Sequence, residues 1–192
     1  MIQKYSPPSP HILSVGCGPG IIEDKFPGKV QGLDKLIPDY ALIPVAQGLL
    51  EQIPFDKNTY DVVFLGEILE HVYDTHQAIS EVKRVLKTEG LLVLTVPNVM
   101  NLRDRIRALF GILPRHLSGY LKSDPHLLEH IRHFNKTSLQ DLLESHDFEI
   151  LEFSSSAINI NLLGSRPFDL YWIARFVPSL GNNLICAARL RN

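Results

Sequence analysis

Short apolar runs alternate with amphipathic stretches along the chain, and this pattern predicts strands and helices in turn. The predicted strands are 11–15, 29–33, 42–46, 61–65, 91–96, 148–154 and 183–189. Residues 75–87 carry an apolar stripe at helical spacing, formed by Ala78, Ile79, Val82, Val85 and Leu86. Thr137-Ser-Leu-Gln140 predicts the capped start of another helix that ends near His146. The alternation predicts an α/β fold, with a parallel sheet covered by helices on both faces.

Composition narrows the class of protein. A length of 192 residues with 45% hydrophobic residues fits one globular domain. The formal net charge of −2 argues against a nucleic-acid-binding surface that extends over the whole protein. No apolar stretch is long enough to cross a bilayer, and the first ten residues do not resemble a secretory leader. Because Cys17 and Cys186 are far apart and form no disulfide framework, we expect a reducing, cytoplasmic location.

A glycine turn follows the first predicted strand. Gly16, Gly18 and Gly20 give the spacing G-x-G-x-G, whereas a dinucleotide-binding turn would place its third glycine where this chain has Ile21. Asp34 stands at the end of the second predicted strand. Glycines let the backbone approach a ligand closely, and a carboxylate accepts hydrogen bonds from ribose hydroxyls. The two features together predict a site for an adenosine-bearing ligand.

Five motifs in order carry a family resemblance. They are Val15-Gly-Cys-Gly-Pro-Gly20, Gly32-Leu-Asp34, Ile53-Pro-Phe-Asp-x-x-x-Tyr-Asp61, Glu67-Ile-Leu-Glu-His71 and Arg84-Val-Leu-Lys-x-x-Gly90. Across about residues 11–98 the chain resembles class I S-adenosylmethionine-dependent methyltransferases, in the group that includes the ubiquinone-biosynthesis enzymes. The resemblance implies one domain over residues 1–192, with a Rossmann-like sheet whose last strand is antiparallel.

The sequence departs from that family pattern in several places. Only seven residues separate Asp34 from Leu42, so we expect the helix after the second strand to be lost, and helices ahead of the first strand to be reduced or absent. Ser14 stands where relatives often have an acid, and a serine brings no negative charge toward the cationic end of the cofactor. Leu49 stands where relatives often have an aspartate that meets the adenine amine.

The resemblance also implies which residues hold S-adenosylmethionine. Gly16, Cys17, Gly18 and Gly20 would pass under its methionine part, and Asp34 would hold the ribose. Pro19 would begin the next helix, whose free N–H groups favour a carboxylate nearby. The remaining expected contacts are Lys35, Leu49 and Leu50 at the adenine and Leu65 and Gly66 at the methionine ammonium. We expect Cys17 to be a small turn residue and not a nucleophile, since no partner that would activate it is evident.

Glu67, Glu70 and His71 form a second group of chemical interest. On a helix, positions i, i+3 and i+4 share a face, so the three side chains would converge. Two carboxylates and an imidazole suit Mg²⁺ or Mn²⁺, and the E-x-x-E-H pattern is similar to the metal-binding one of ubiquinone-pathway O-methyltransferases. There a later histidine can add a ligand, for which His126, His130 and His133 are the candidates here. The alternatives are that His71 is a catalytic base or only anchors a loop. His133 is the second candidate catalytic residue, on the wall of the acceptor pocket.

Residues 97–136 are the expected acceptor region, an insertion or lid after the fifth strand. Seven basic residues there face three acids, Asp104, Asp124 and Glu129; the basic residues are Arg103, Arg105, Arg107, Arg115, Lys122, Arg132 and Lys136. This balance indicates an anionic acceptor or else a solvated helix face. The apolar, aromatic stretch 162–180 is expected to pack in the core or pocket, with a homodimer face or a membrane contact as alternatives.

These observations together predict an enzyme that transfers a methyl group from S-adenosylmethionine to a small-molecule or glycan- or lipid-linked acceptor, at oxygen. The alternative hypothesis is a catalytically weak or inactive binding or scaffold protein on a methyltransferase fold. The lost helix, Ser14 and Leu49 favour that alternative.

Overall fold

The computed structural model describes residues 1–114, 130–156, 158–160, 168–169, 173 and 176–191. The strands are β1 His11–Val15, β2 Lys29–Asp34, β3 Val45–Gln47, β4 Tyr60–Gly66, β5 Leu86–Pro97, β6 Phe148–Ser155, β7 Asn159–Ile160, β8 Phe168–Asp169 and β9 Asn183–Leu190. The helices are α1 Ile2–Tyr5, α2 Thr75–Val85, α3 Leu102–Leu109 and α4 Lys136–Glu144. Short 3₁₀ helices lie at Glu23–Lys25, Leu69–His71 and Pro178–Leu180.

Seven strands form the main sheet in the order β3-β2-β1-β4-β5-β9-β6. β1, β2, β3, β4 and β5 pair in parallel, while β9 lies between β5 and β6 and is antiparallel to both. The predicted mostly parallel sheet with an antiparallel last strand is therefore confirmed. Because β1, β2 and β4 are parallel, the segments after Val15, Asp34 and Gly66 leave the sheet at the same edge.

Alternation along the strands divides the core between the two faces of the sheet. Leu13 and Leu65 belong to the larger cluster, which the apolar stripe of α2 and residues of α4 cover. Ile12 and Val62 belong to a smaller cluster on the other face, where Ile2 of α1 packs. Helices thus lie on both faces as predicted, but the second face is covered by a helix of four residues.

The structure corrects three details of the predicted elements. The predicted strand 42–46 lies at Val45–Gln47, since Pro44 has no N–H for the ladder. α4 begins at Lys136, and its N-cap is Asn135 and not Thr137: the N–H of Ser138 donates to Asn135 Oδ1, and Ser138 Oγ accepts from the N–H of Asn135. The helix expected after the glycine turn is only the 3₁₀ helix Glu23–Lys25.

The expected loss of the helix after β2 is confirmed, because residues 35–44 contain no helix. Several large apolar side chains around the carboxyl ends of β1 and β2 are exposed in consequence. They include Ile21, Ile22, Leu36, Ile37, Tyr40 and Leu42. The fold is therefore trimmed on the side where β3 forms the edge of the sheet.

Arg84, in the fifth motif, organises the loop before β4. Its guanidinium donates to both carboxylate oxygens of Glu81 and to the carbonyl oxygens of Ile53 and Phe55. Glu81 Oε2 also accepts the N–H of Ile53. This bidentate pairing lowers the pKa of Glu81 and raises that of Arg84. The motif thus has a structural role.

No helix in the described part of the chain is long and apolar enough to cross a bilayer. The predicted cytoplasmic location remains a prediction. Cys17 and Cys186 are both buried free thiols. Most of the apolar stretch 162–180, and with it the expected dimer face, lies outside the described residues.

Candidate active site

The glycine turn leaves β1 through three residues with positive φ. Gly16, Gly18 and Gly20 have φ values of 71°, 51° and 75°, a region that residues with a side chain rarely adopt. A Cβ at Gly16 would lie 2.9 Å from Ile68 Cδ1, and one at Gly20 would lie 2.4 Å from Ile43 Cγ1. A Cβ at Gly18 would meet no described atom within 4 Å. Packing thus restricts the turn at its two ends, while its middle is open.

Asp34 closes the turn from the tip of β2. Its Oδ2 accepts the N–H of Gly18 at 2.8 Å, and its Oδ1 accepts the N–H of Leu36 at 3.1 Å. The N–H of Gly16 donates to the carbonyl of Leu33 at 2.8 Å, so β1 and β2 remain paired up to the turn. These bonds direct the Asp34 carboxylate toward the glycine turn and not outward.

A cavity of about 380 Å³ lies in front of Asp34, and we name it the Asp34 cavity. It brings together predicted site residues from four segments: Gly16, Asp34, Lys35, Leu49, Leu50 and His71. Glu51, Glu67 and Ile68 also line this cavity. Its volume lies within the range of about 300–1,000 Å³ that is usual for small-molecule sites.

A second cavity of about 380 Å³, the Glu23 cavity, lies on the other side of the turn. Its lining includes Gly16, Cys17, Glu23, Phe64, Gly66 and Thr95. Gly16 and Glu67 line both cavities, so the two meet at the glycine turn. Three other predicted cofactor contacts, Gly18, Gly20 and Leu65, line neither cavity, and Leu65 is fully buried in β4.

The Glu23 cavity contains a buried carboxylate that sequence reasoning did not identify. Ser14 Oγ donates to Glu23 Oε1 at 2.9 Å, and Ser14 and Glu23 are 0% and 5% exposed. The 3₁₀ helix Glu23–Lys25 takes the place of a longer helix and turns Glu23 back under β1. The two residues are nine positions apart, and no sequence periodicity relates that spacing to a contact.

Cys17 lies near both carboxylates of the glycine turn. Burial raises its pKa to about 11, and the charges of Asp34 and Glu23 contribute to the shift. A Cβ at Gly32 would lie 2.5 Å from Cys17 Sγ, so the thiol packs closely on β2. The thiol is therefore protonated at neutral pH, which agrees with its expected role as a small turn residue.

Glu67 does not join Glu70 and His71 on a helix, because residue 67 has a φ of 51° and the chain forms only the 3₁₀ helix Leu69–His71. Asn183 Nδ2 donates to Glu67 Oε2 at 2.8 Å, which holds this carboxylate toward β9. The predicted convergence is thus wrong for Glu67, while Glu70 and His71 remain together.

Glu70, His71 and His130 are the group that the structure brings together, with one potential ligand atom from each, all within 4.8 Å of one another. The rings of His71 and His130 meet edge to face, with centroids 4.7 Å apart. The carbonyl of Glu70 accepts the N–H groups of Ile131 and Arg132, which fixes the segment after His130 against this turn.

The Glu70 carboxylate is 1% exposed, and neither oxygen has a hydrogen-bond partner among the described residues. Burial raises its pKa to about 8, and the charge of Glu67 adds to the shift. A buried, unpaired carboxylate is unfavourable unless a proton or a cation neutralises it. With two imidazoles beside it, this group has the donor atoms of a transition-metal site.

The side chain of His133 is exposed and lines neither cavity. Its neighbour Phe134 is buried, and the carbonyl of Phe134 accepts the N–H of Val99. Successive side chains of an extended segment point to opposite sides, so burial of Phe134 turns His133 outward. The histidine placed beside His71 is His130, and His126 lies outside the described residues.

The described part of the basic acceptor region engages the protein's own backbone. Arg105 donates to the carbonyls of Met100 and Ser179. Arg107 donates to the carbonyl of Leu113, and its Nε lies 3.9 Å from Asp104 Oδ1. Arg103 is exposed. Two of these guanidinium groups thus have structural partners, which weakens the argument for an anionic acceptor.

Comparisons with known proteins agree with this geometry. Residues 2–152 match the family model described as a methyltransferase domain. The chain belongs to the methyltransferase-domain family. This match includes the glycine turn, Asp34, both cavities and the Glu70 group.

Two curated relatives of this methyltransferase domain show how wide the family is. The ubiquinone biosynthesis O-methyltransferase of Rickettsia prowazekii is 26% identical over 166 residues, which cover 78% of this chain and 62% of the relative. The ubiquinone/menaquinone biosynthesis C-methyltransferase of Nitrosospira multiformis is 29% identical over 136 residues, which cover 67% and 55%. The chain thus spans between one half and two thirds of the length of these relatives, and they methylate different atoms.

Solved structures show the same fold. An S-adenosylmethionine-dependent methyltransferase from Thermotoga maritima superposes with a TM-score of 0.68 at 17% identity, covering 96% of this chain and 84% of that one. A Burkholderia thailandensis N1-methyltransferase with bound S-adenosylhomocysteine gives a TM-score of 0.63 at 13% identity, covering 96% and 72%. The methyltransferase domain described here therefore has the class I, Rossmann-like fold.

Proposed function

We propose that this chain transfers a methyl group from S-adenosylmethionine to the oxygen of a small-molecule or glycan- or lipid-linked acceptor. The observation that carries the proposal is the Asp34 carboxylate, which lines the Asp34 cavity and accepts the N–H of Gly18 from the glycine turn. Asp34 accepts hydrogen bonds from the ribose hydroxyls, and the open Gly18 lets the ligand approach the backbone. Lys35, Leu49 and Leu50 enclose the adenine from the same cavity.

S-adenosylmethionine, when bound, supplies a methyl group already activated on a sulfonium, so transfer is an in-line substitution. The protein's task is to align the acceptor and to exclude water. His71 lines the Asp34 cavity, which supports its proposed role in acting on the acceptor. An oxygen acceptor must lose its proton, and His71 either takes that proton or holds a cation that stabilises the alkoxide.

The test is calorimetry with S-adenosylhomocysteine followed by a turnover assay over a panel of hydroxylated acceptors. We expect binding in the micromolar range and release of S-adenosylhomocysteine with at least one acceptor. Absence of binding by the folded protein would contradict the proposal. Binding without turnover across the panel would favour the alternative scaffold function, which the reduced helical cover over β1, β2 and β3 supports.

We further propose that Glu70, His71 and His130 hold a divalent cation, with Mn²⁺ favoured over Mg²⁺. The unpartnered Glu70 carboxylate supports this proposal, and two imidazoles suit Mn²⁺ better than Mg²⁺. The test is a titration with Mn²⁺, in which binding is measured as a decrease of the electron paramagnetic resonance signal of the free ion. We expect Glu70→Gln and His130→Ala to abolish binding, while the exposed His133→Ala serves as the control. Failure of the wild-type protein to bind Mn²⁺ would contradict this proposal and would favour His71 as the catalytic base.

A further inference from the structure

The Glu23 cavity contains a buried charge at the place where the family pattern lost one. In the sequence, Ser14 replaces the acid that relatives often have at the end of the first strand. In the structure, Ser14 Oγ donates to Glu23 Oε1 at 2.9 Å, so a carboxylate from a later segment lies against the side chain at this position. The negative charge missing from β1 is therefore restored from outside the strand.

The connection between the two cavities places Glu23 relative to the proposed cofactor. A ligand whose ribose is held by Asp34 reaches the Glu23 cavity past Gly16, which lines both cavities. The amino-acid end of S-adenosylmethionine then enters a cavity lined by Gly66, Thr95 and Glu23. That end carries an ammonium group, which is a donor of charge-assisted hydrogen bonds.

The local charges favour Glu23 over Glu67 as the partner of this ammonium. Glu67 also lines the cavity, but Asn183 Nδ2 donates to its Oε2 at 2.8 Å and holds it toward β9. Glu23 is 5% exposed, and the bond from Ser14 engages only its Oε1. A carboxylate this deeply buried gains more from a cationic partner than a solvated one does.

We propose that Glu23, positioned by the Ser14 hydroxyl, binds the α-ammonium group of S-adenosylmethionine and of its product. This inference rests on the proposed function, because it assumes that the adenosine part lies in the Asp34 cavity. It replaces the sequence expectation that Ser14 leaves this end of the site without a negative charge.

The experiment compares three ligands by calorimetry: S-adenosylhomocysteine, its analogue without the α-amino group, and 5′-methylthioadenosine, which lacks the whole amino-acid end. In the wild-type protein, removing the amino group is expected to weaken binding by about 10- to 100-fold. In Glu23→Gln, S-adenosylhomocysteine should lose about the same factor, while the other two ligands should bind within about two-fold of wild type. The amide oxygen of this variant still accepts the Ser14 hydrogen bond, so the turn is preserved.

Two further variants identify the carboxylate responsible. Ser14→Asp combined with Glu23→Gln moves the charge back to β1 and should recover most of the lost affinity. Glu67→Gln should retain the preference for the amino group. If a thermal melt shows that Glu23→Gln is unfolded, Ser14→Ala is measured instead. This variant should reduce the preference for the amino group, because the Ser14 hydroxyl no longer positions the Glu23 carboxylate.

The inference would be overturned if Glu23→Gln lost affinity equally for all three ligands, because Glu23 would then be a structural residue. It would also be overturned if this variant kept the wild-type preference for ligands with the amino group. Loss of the preference for the amino group in Glu67→Gln would overturn it as well. These outcomes are distinct from failure of the proposed function, in which the wild-type protein binds none of the three ligands.

Discussion

Gly18 and Asp34 are joined by a hydrogen bond of 2.8 Å, in which the backbone N–H of Gly18 donates to Asp34 Oδ2. Through this bond one carboxylate at the tip of β2 both stabilises the glycine turn and lines the Asp34 cavity. A change at either residue should therefore affect both the local structure and ligand binding, and the two effects can be separated by choosing suitable controls.

Asp34→Asn is expected to weaken the binding of S-adenosylhomocysteine by about 10- to 100-fold, because an amide cannot offer two acceptor oxygens to the ribose and the Gly18 N–H. The measurement is calorimetry at constant pH and salt. Asp39→Asn is the matched control, since Asp39 is exposed and lines neither cavity. An unchanged affinity in Asp34→Asn would contradict the assigned ribose site.

Gly18→Ala should cost about 1–2 kcal/mol of stability, because its φ of 51° disfavours a side chain. It should also weaken the binding of S-adenosylhomocysteine, since the added methyl enters the open space beside the turn. Gly111→Ala is the control: Gly111 has a φ of 68° and equal room for a Cβ, but it follows α3 and lies outside the glycine turn that Asp34 contacts. Urea denaturation should show similar losses for both variants. Calorimetry should show weaker binding only for Gly18→Ala, and equal binding by both variants would contradict this prediction.

The sequence predicted the sheet and much of the Asp34 cavity, because these depend on short patterns. Alternating apolar residues specify the strands, and positive φ at the turn requires glycines, so the positions of Gly16 and Asp34 could be read directly. The contact of Ser14 with Glu23 could not be predicted, and the sequence named His130 only as one of three candidate partners of His71. These two contacts depend on a short 3₁₀ helix and on backbone pairing with the Glu70 carbonyl, and neither leaves a periodic signal.

The error at Glu67 has a related physical cause. Helical spacing over residues 67–71 predicted one face for Glu67, Glu70 and His71, but the positive φ of Glu67 ends β4 abruptly. Its N–H donates to both the carbonyl and the Oγ1 of Thr95, which fixes this geometry from β5. A tertiary contact thus overrides the local pattern.

Glu70 should make the metal-free protein less stable as the pH rises. Its folded pKa of about 8 lies above its ordinary value of 4.5, so the folded state binds more protons than the unfolded state between these values. Stability from this group is complete below about pH 4.5 and decreases as the pH rises to about 8. Glu70→Gln should abolish this decrease and stabilise the protein at pH 8.5 by about 1–4 kcal/mol.

The measurement is urea denaturation from pH 5 to 8.5 in the presence of a chelator, with Glu144→Gln as the control. Glu144 is exposed and its amide replacement can still accept the hydrogen bond of Gln140. A Glu70→Gln variant whose stability varies with pH as the wild type does would show that Glu70 is ionised in the folded protein.

Arg84→Met is expected to destabilise the fold by about 2–4 kcal/mol, since it removes four hydrogen bonds and leaves the partly buried Glu81 carboxylate without its cation. Arg84→Lys should cost less but not recover the wild-type value, because an ammonium cannot form the bidentate pair. The control is the adjacent Lys83→Met, which breaks only the exposed pair with Asp147 and should change stability by less than about 1 kcal/mol.

Urea denaturation measures the stability of all three variants. Calorimetry should then show that Arg84→Lys still binds S-adenosylhomocysteine with nearly wild-type affinity, because Arg84 positions the loop before β4 and lines neither cavity. Selective loss of binding in a stably folded Arg84→Lys would contradict this structural role.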